Sequence, residues 1–537
     1  MKKLAFLLPI WCLLACLAAC IDDDSNENYL SDYDAGEIKF DTTGVANRTV
    51  LLYNLTPGQH VEFEPKVDYK YPERLRYRWF YLTLTNYSYQ AQQVGNSLVY
   101  PAADTIATTR KLDWTVDLKG GQYRFYLMAE DTITGMRGYY NPCSYTVVEV
   151  EGSQTGLYLL TESGENSDIE ILTSSLMLIC GGDNQYKKYY SGLTGTTLEG
   201  KPKFIRSSHT GSTSKEGYMV CTDKNLYRIA EENMVLMDEW DDMFYTKPDV
   251  FNPQCLFFMN YCEFLINDGK LHTLYTSRTN DRKFSDAIAG NYEAYPFLMF
   301  ESKTSWGAVS GAIDADQVIF DQKNKRFVPY FAYNSSISQF ASTSGDAVVD
   351  ANAVPGQIIK ILNGANYYTY VITKINGVNY LYRYNFYNRV DKGDLSAAGD
   401  NSITNLSGCT DLDQAKYWTS NSNGGAFYYA TDKNVYSFSP TSGLTGSYTL
   451  YTCSANEEVT CIYTGGSVGG GWPTSSCILW IAVWDSSNQE GKIIEYEMDH
   501  DYGQPSAFWG PMFGSASNPT ITTGWQKIVG MTFRYAE

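Results

Sequence analysis

Apolar and polar positions alternate with period two along several short stretches: Val61, Phe63 and Pro65; Leu75, Tyr77, Trp79 and Tyr81; Leu112, Trp114 and Val116; Tyr123, Phe125, Leu127 and Ala129; Tyr145 and Val147. Successive side chains of an extended chain point to opposite faces, so this period predicts half-buried strands. The small polar stretch Glu151 to Gly156 interrupts the pattern and suits a linker. Beyond it another unit recurs: an apolar strand, a tight turn of Asp, Asn, Gly or Lys, and a second strand often carrying Tyr. Its clearest copies are Thr222-Asp223-Lys224-Asn225-Leu226-Tyr227 and Thr431-Asp432-Lys433-Asn434-Val435-Tyr436. Weaker copies run from Gly156 to Ile171, Cys262 to Tyr275, Val318 to Val328, Tyr368 to Tyr382 and Ile478 to Tyr496. At the end of the chain Ile528, Gly530 and Thr532 alternate against Val529, Met531 and Phe533, which predicts a last strand able to pair the final repeat with the first. No long helical period is present.

These elements predict an all-β protein in two parts. The strands before the linker fit an immunoglobulin-like sandwich, with Trp79 as its central core residue and Tyr123 in the place of the corner tyrosine, although the cysteine pair of antibody domains is absent. Seven hairpins cover the rest of the chain, and a four-stranded propeller blade takes about 40–50 residues, so a seven-bladed β-propeller is expected over residues 156–537. Unrelated hairpins in a second sandwich are the alternative. The expected divisions are a leader over 1–19, an acidic tether over 20–36, the sandwich over 37–151 and the propeller over 156–537.

The beginning of the chain departs from both patterns. Met1-Lys2-Lys3 precedes an apolar run from Leu4 to Leu17 that contains Pro9 and stops at Ala18-Ala19-Cys20, too short to span a bilayer but suited to a signal peptide. Leu17-Ala18-Ala19-Cys20 resembles the lipobox of bacterial lipoproteins, which implies acylation of Cys20 and a lipid anchor. An ordinary signal peptide with a chance cysteine is the alternative. Asp22-Asp23-Asp24 follows in a stretch too polar to pack, and it resembles the lipoprotein export signal of Bacteroidota, which implies display on the outer face of the outer membrane. A periplasm-facing anchor remains open.

Loss of residues 1–19 removes Lys2 and Lys3 and takes the formal charge from −19 to −21, which argues against nucleic acid as a partner. Nine cysteines besides Cys12, Cys16 and Cys20 cannot all pair, and no Cys-x-x-Cys occurs, so buried free thiols are expected.

Gly121 to Asp131, followed by Thr134-Gly135, resembles the end of a polycystic-kidney-disease (PKD) type domain, without the Trp-x-Phe-Gly-Asp-Gly signature. With the lipobox, the acidic tether and the segment Gly156 to Glu162 opening a repeat region, the chain resembles PKD-like family lipoproteins of Bacteroidota. That resemblance implies an accessory role in nutrient uptake beside a TonB-dependent outer-membrane transporter and its substrate-capturing lipoprotein.

Chemistry is sparse. His60, His209, His272 and His500 lack metal-ligand spacing, no nucleophile elbow, phosphate loop or dinucleotide fingerprint occurs, and Asp499-His500-Asp501 reads as a turn. No cofactor is implied. Among 60 acidic residues no glycosidase pair can be selected. The repeated Asp223 and Asp432 are explained by hairpin turns, where Asp bonds its own backbone. Binding therefore ranks first. Aromatic faces in loop-like sequence can stack on a sugar or hold a peptide side chain: Trp472 among glycines, then Trp306, Trp509 and Trp240. The expected function is non-enzymatic capture of a glycan or oligopeptide, with a glycan-active enzyme or a ligand-free spacer as the alternatives.

Overall fold

The computed structural model describes residues 36–41, 54–55, 58–84, 92–94, 97–99, 103–118, 121–142, 146–148, 156–174, 176–177, 184–208, 217–231, 233–259, 262–275, 283–298, 317–331, 334–340, 342, 347–364, 368–386, 401–420, 424–465, 477–506 and 519–534. The chain divides into two compact units, Met1–Val150 and Glu151–Glu537. Among the described residues the structure is nearly all strand, and no helix is long and apolar enough to cross a membrane.

The first unit is built on the long antiparallel pair Leu75–Leu84 and Gly121–Asp131, in which Trp79 faces Leu127 and Tyr123 faces Thr83. Ala103–Ala107, Thr146–Val148, Asn54–Leu55 and Arg137–Tyr140 extend it to six strands. His60–Phe63 and Leu112–Thr115 pair separately. Alternation sets the core: Trp79, Phe125, Leu127 and Leu112 are fully buried and pack with Val61 and Phe63. The Trp79 indole N–H, which would be costly to bury unpaired, donates to the Arg110 carbonyl at 3.1 Å.

The second unit consists of seven separate antiparallel sheets among the described residues. Sheet I orders Asn184–Tyr186, Asn166–Thr173, Gly156–Ser163 and Lys527–Arg534. Sheet II runs Pro202–Ser208, Gly217–Thr222, Leu226–Ala230 and Leu236–Glu239. Sheet III has Pro253–Met259, Cys262–Asn267 and Lys270–Tyr275, and sheet IV has Ala294–Leu298, Gln317–Asp321 and Arg326–Tyr330. Sheet V runs Gln357–Asn363, Thr369–Ile375, Val378–Tyr384 and Ser402–Asn405. Sheet VI runs Tyr417–Ser420, Phe427–Ala430, Asn434–Ser439 and Leu444–Thr452. Sheet VII runs Glu457–Thr464, Ile478–Asp485, Glu490–Glu497 and Thr520–Trp525.

Each repeated hairpin lies in a different sheet: it forms the two middle strands of sheets I, II, V, VI and VII, and the second and third strands of sheets III and IV. The central strands are buried along their whole length, as in Gly217–Thr222 and Cys262–Asn267, because both faces meet a neighbouring sheet. Tyr158 and Leu160 of sheet I pack on Val220 and Ile229 of sheet II, and Met219 and Leu226 on Leu256 and Leu265 of sheet III. Similar shared cores join III to IV, IV to V, V to VI and VI to VII. Sheet VII returns to sheet I: Trp480 stacks on Phe533 with centroids 5.8 Å apart, and Ser174 Oγ donates to Glu495 at 2.7 Å. The alternating C-terminal segment is a strand of sheet I, pairing Leu157 with Phe533 and Leu159 with Met531.

One expectation is corrected. The side chain that holds the repeated turn is the threonine, not the aspartate. Thr222 Oγ1 accepts the N–H groups of Lys224 and Asn225, and Thr431 Oγ1 those of Lys433 and Asn434. Asp223 instead accepts the N–H of Lys201, and Asp432 pairs with Lys416. A hydroxyl one position earlier already satisfies the turn amides, which frees each carboxylate to tie the turn to the preceding strand.

Candidate ligand-binding site

Of the residues selected from the sequence, Cys20, Trp306, Trp472 and Trp509 lie outside the described residues. Trp240 is described and is not available to a ligand. Only 5% of it is exposed, and Phe244 and Phe251 meet its ring edge to face at 4.5 and 5.0 Å within the core between sheets II and III. Its acidic neighbours Asp241 and Asp242 misled: they sit on a one-turn helix, Trp240–Asp242, whose aromatic side chain turns inward.

Trp240 nonetheless bears on a site. The chain beyond it makes a parallel bridge between Phe244 and Phe284, with Phe284 N–H donating to the Met243 carbonyl at 2.7 Å and Tyr245 N–H to the Phe284 carbonyl at 3.2 Å. Among the described residues sheets III and IV have three strands each, and irregular backbone of 284–289 and 334–338 runs beside their outer strands. Ser285 N–H donates to the Thr273 carbonyl, Ile288 N–H to that of Leu271, and Ser338 N–H to that of Pro329, while Ala289 N–H donates to the Ser335 carbonyl and the Ala289 carbonyl accepts from Ile337 N–H. Irregular edges cannot close as tightly as a strand, and they leave a cavity of about 480 Å³.

The cavity is lined by Tyr245, Thr273, Tyr275, Ile288 and Tyr330, with Lys283, Ser285, Asp286, Asn334 and Ser335 supplying polar groups. Tyr330 and Ile288 are buried, whereas Tyr245 is 56% exposed. His272 stands behind this wall with Nδ1 2.9 Å from the Ser285 carbonyl oxygen, and burial holds its pKa below the ordinary histidine value. The arrangement suits a polar molecule with one apolar face: rings to stack on and several side chains to bond hydroxyls or amides. Sequence reasoning missed it because Tyr245, Tyr275 and Tyr330 are far apart in the chain and not distinctive among 45 tyrosines.

The remaining clusters have structural partners. His60, Glu62 and Asp113 bring their ligand atoms together on exposed paired strands, but Lys111 Nζ already lies 3.1 Å from Glu62 and 3.4 Å from Asp113. Cys477 Sγ is 3.4 Å from His500 Nδ1, yet burial and then the carboxylates of Glu497, Asp499 and Asp501 push the thiol up to about 11, away from a nucleophilic thiolate. Buried Glu263 forms a two-point pair with Arg228, at 2.7 and 2.6 Å, which joins sheets II and III. Glu495 accepts from the Trp480 indole and from Ser174. The seven described cysteines, Cys221, Cys255, Cys262, Cys409, Cys453, Cys461 and Cys477, are all free thiols.

Among solved structures, the chain is similar to a quinonprotein alcohol dehydrogenase-like protein from Bacteroides thetaiotaomicron, at 9% identity and a TM-score of 0.37, covering 89% of this chain and 95% of that one. Kluyveromyces lactis Hsv2 is similar at 8% identity and a TM-score of 0.35, covering 68% and 95%. The β-propeller domain of Cps50 (Swd1) from Myceliophteria thermophila is similar at 8% and 0.31, covering 57% and 86%. At these values the likeness transfers no activity. No curated protein matches the chain. Residues 20–202, which include the strand pair carrying Trp79 and Tyr123, match the model of the PKD-like family.

Proposed function

We propose that this chain is a non-enzymatic surface lipoprotein of an outer-membrane nutrient uptake system. In this reading Cys20 carries the lipid, the PKD-like unit stands next to the anchor, and the second unit is a seven-bladed propeller that captures a glycan. Seven sheets with shared cores, and a last strand paired into the first sheet, support the propeller reading. The acidic tether and apolar leader support the anchor. A TonB-dependent transporter and its capturing lipoprotein are the proposed protein partners, on the strength of the family resemblance alone.

The observation that carries ligand capture is the cavity at the edges of sheets III and IV, where tyrosine faces meet a polar wall of Lys283, Ser285, Asp286, Asn334 and Ser335. Hydroxyl-rich rings with one apolar face match that lining better than peptides with large apolar side chains. The purified full chain is offered neutral oligosaccharides and oligopeptides, and both retention and product release are followed. Glycan retention that falls about tenfold or more in Tyr245→Ala, without product, is expected if the ring is an anchor. Undiminished retention in that variant would remove the cavity from the proposal. Product formation abolished by one carboxylate substitution would make the protein an enzyme, and exclusive retention of peptides would change the ligand class.

A further inference from the structure

Alternation in the first unit leaves one sheet face outside the core. Tyr77, Trp79 and Tyr81 of Leu75–Leu84 and Tyr123, Phe125 and Leu127 of Gly121–Asp131 turn inward, so the residues between them share the opposite face. Register sets those residues in rows across the strands. Arg76, Glu130 and Arg137 form one row, and Arg78, Met128 and Tyr139 the next. Beyond them Phe80 stands opposite Tyr126, and Leu82 opposite Arg124. Phe80 and Tyr126 stack with centroids 5.4 Å apart, the Arg78 guanidinium lies 5.3 Å from the Phe80 centroid, and Arg124 Nη1 donates to the Tyr126 hydroxyl at 3.3 Å.

Glu130 is the one acidic residue that this register places on the face among the described residues, and it is held by Arg76 Nη2 at 2.8 Å and Arg137 Nη2 at 3.4 Å. Four arginines outnumber it, an excess of positive charge in a chain of net charge −19. Arg76, Arg137 and Tyr139 are exposed, and Arg78, Arg124, Phe80 and Tyr126 are half-buried. The chain enters the unit at the edge of this face. Ile38 approaches Gly138 so closely that a Cβ there would lie 2.9 Å from Ile38 Cγ2, and Gly138 stands between Arg137 and Tyr139. The 16 residues from Cys20 to Ala35 reach at most about 55 Å when fully extended. A lipid on Cys20 therefore keeps the arginine face within reach of the bilayer.

We propose that this face docks on an anionic lipid surface, with the arginines against headgroup phosphates and Tyr139, Phe80 and Leu82 at headgroup level. The inference rests on the reading of the chain as a lipoprotein anchored at Cys20. Guanidinium groups mixed with aromatic and aliphatic side chains suit the bilayer interface, where the stems pack on apolar groups and the charges meet phosphate. The acidic remainder of the chain is repelled by the same surface, so both effects turn this face toward the membrane.

The test uses the full mature chain with Cys20→Ser, which carries no acyl group, mixed with vesicles of phosphatidylcholine alone or with equal parts of phosphatidylglycerol. Flotation with the anionic vesicles only, weakened by added salt, is expected. Arg78→Gln with Arg124→Gln should weaken it about tenfold or more, and Arg78→Lys with Arg124→Lys should retain it. Arg137→Gln, at the exposed edge, supplies the same comparison should the paired Gln variant fail to fold. Equal flotation with neutral vesicles, or undiminished flotation of the folded Gln variants, would overturn the proposal. Retention of soluble polygalacturonate through these arginines, without vesicle binding, would assign the face to an acidic glycan instead. Vesicle binding that appeared only after Asp22, Asp23 and Asp24 were replaced by Ala would assign it to the chain's own tether, and either result removes the lipid assignment. Lipid labelling at Cys20 reports on the anchor separately: labelling lost with vesicle binding kept removes the anchor and not the face, and the opposite result removes the face and not the anchor.

Discussion

At the scale of single residues, buried polar groups in this protein are held by specific partners, and their removal has a definite sign. Asp131 is fully buried in the first unit and accepts the Tyr69 hydroxyl at 2.5 Å and the N–H groups of Ile133 and Thr134. Burial alone pushes its carboxyl up, but these hydrogen bonds outweigh burial and leave its pKa below the ordinary value. A depressed carboxylate contributes stability that is present above its unfolded pKa and disappears as the pH falls through the folded one. The first unit should therefore lose stability below about pH 4, and Asp131→Asn should flatten that dependence in urea titrations followed across pH. Tyr69→Phe should cost about 1.5–3 kcal/mol near neutrality, since it removes a hydrogen bond to a charged group. Trp240→Ala should cost about 3–5 kcal/mol and weaken retention at the cavity, because its ring anchors the segment carrying Tyr245. Unchanged denaturation midpoints would contradict each of these assignments.

Elements show how a repeat can be legible while its mechanism is not. The motif shared by Leu226 and Val435 identified two hairpins correctly, and alternation in 527–535 identified a terminal strand. The role of Asp223 was misread because a turn side chain's partner depends on which strand lies beside it. Thr222→Val and Thr431→Val should each destabilise the second unit by about 1 kcal/mol, with Asp432→Asn less costly because its exposed pair with Lys416 is screened by solvent. Thermal melts in matched buffers would check the order. The terminal strand supplies Ile528 and Met531 to the core and pairs with Gly156–Glu162, so truncation after Gly524 should unfold the whole second unit. A truncated chain that melted like the parent would show the seven sheets to be independent of this pairing.

For the whole molecule, the proposal is an anchored chain with two β units. Cys20→Ala should abolish lipid labelling and release the protein from membranes, because the thiol is the proposed acylation site. Replacement of Asp22, Asp23 and Asp24 by Ala should preserve labelling but reduce protease access on intact cells. A lipid that persisted in the first variant, or access that persisted in the second, would refute the anchor or the surface placement respectively.

Local chemistry alone determined the strands and much of the core. Trp79, Phe125 and Leu127 alternate as a half-buried strand must, and the hairpin repeat marked one buried pair for each of seven sheets. Binding residues were another matter. A tryptophan flanked by acids reads as exposed until the fold turns Trp240 into a core between two sheets. The cavity depended on something no local pattern records: irregular backbone packed beside two sheets that have three strands each among the described residues.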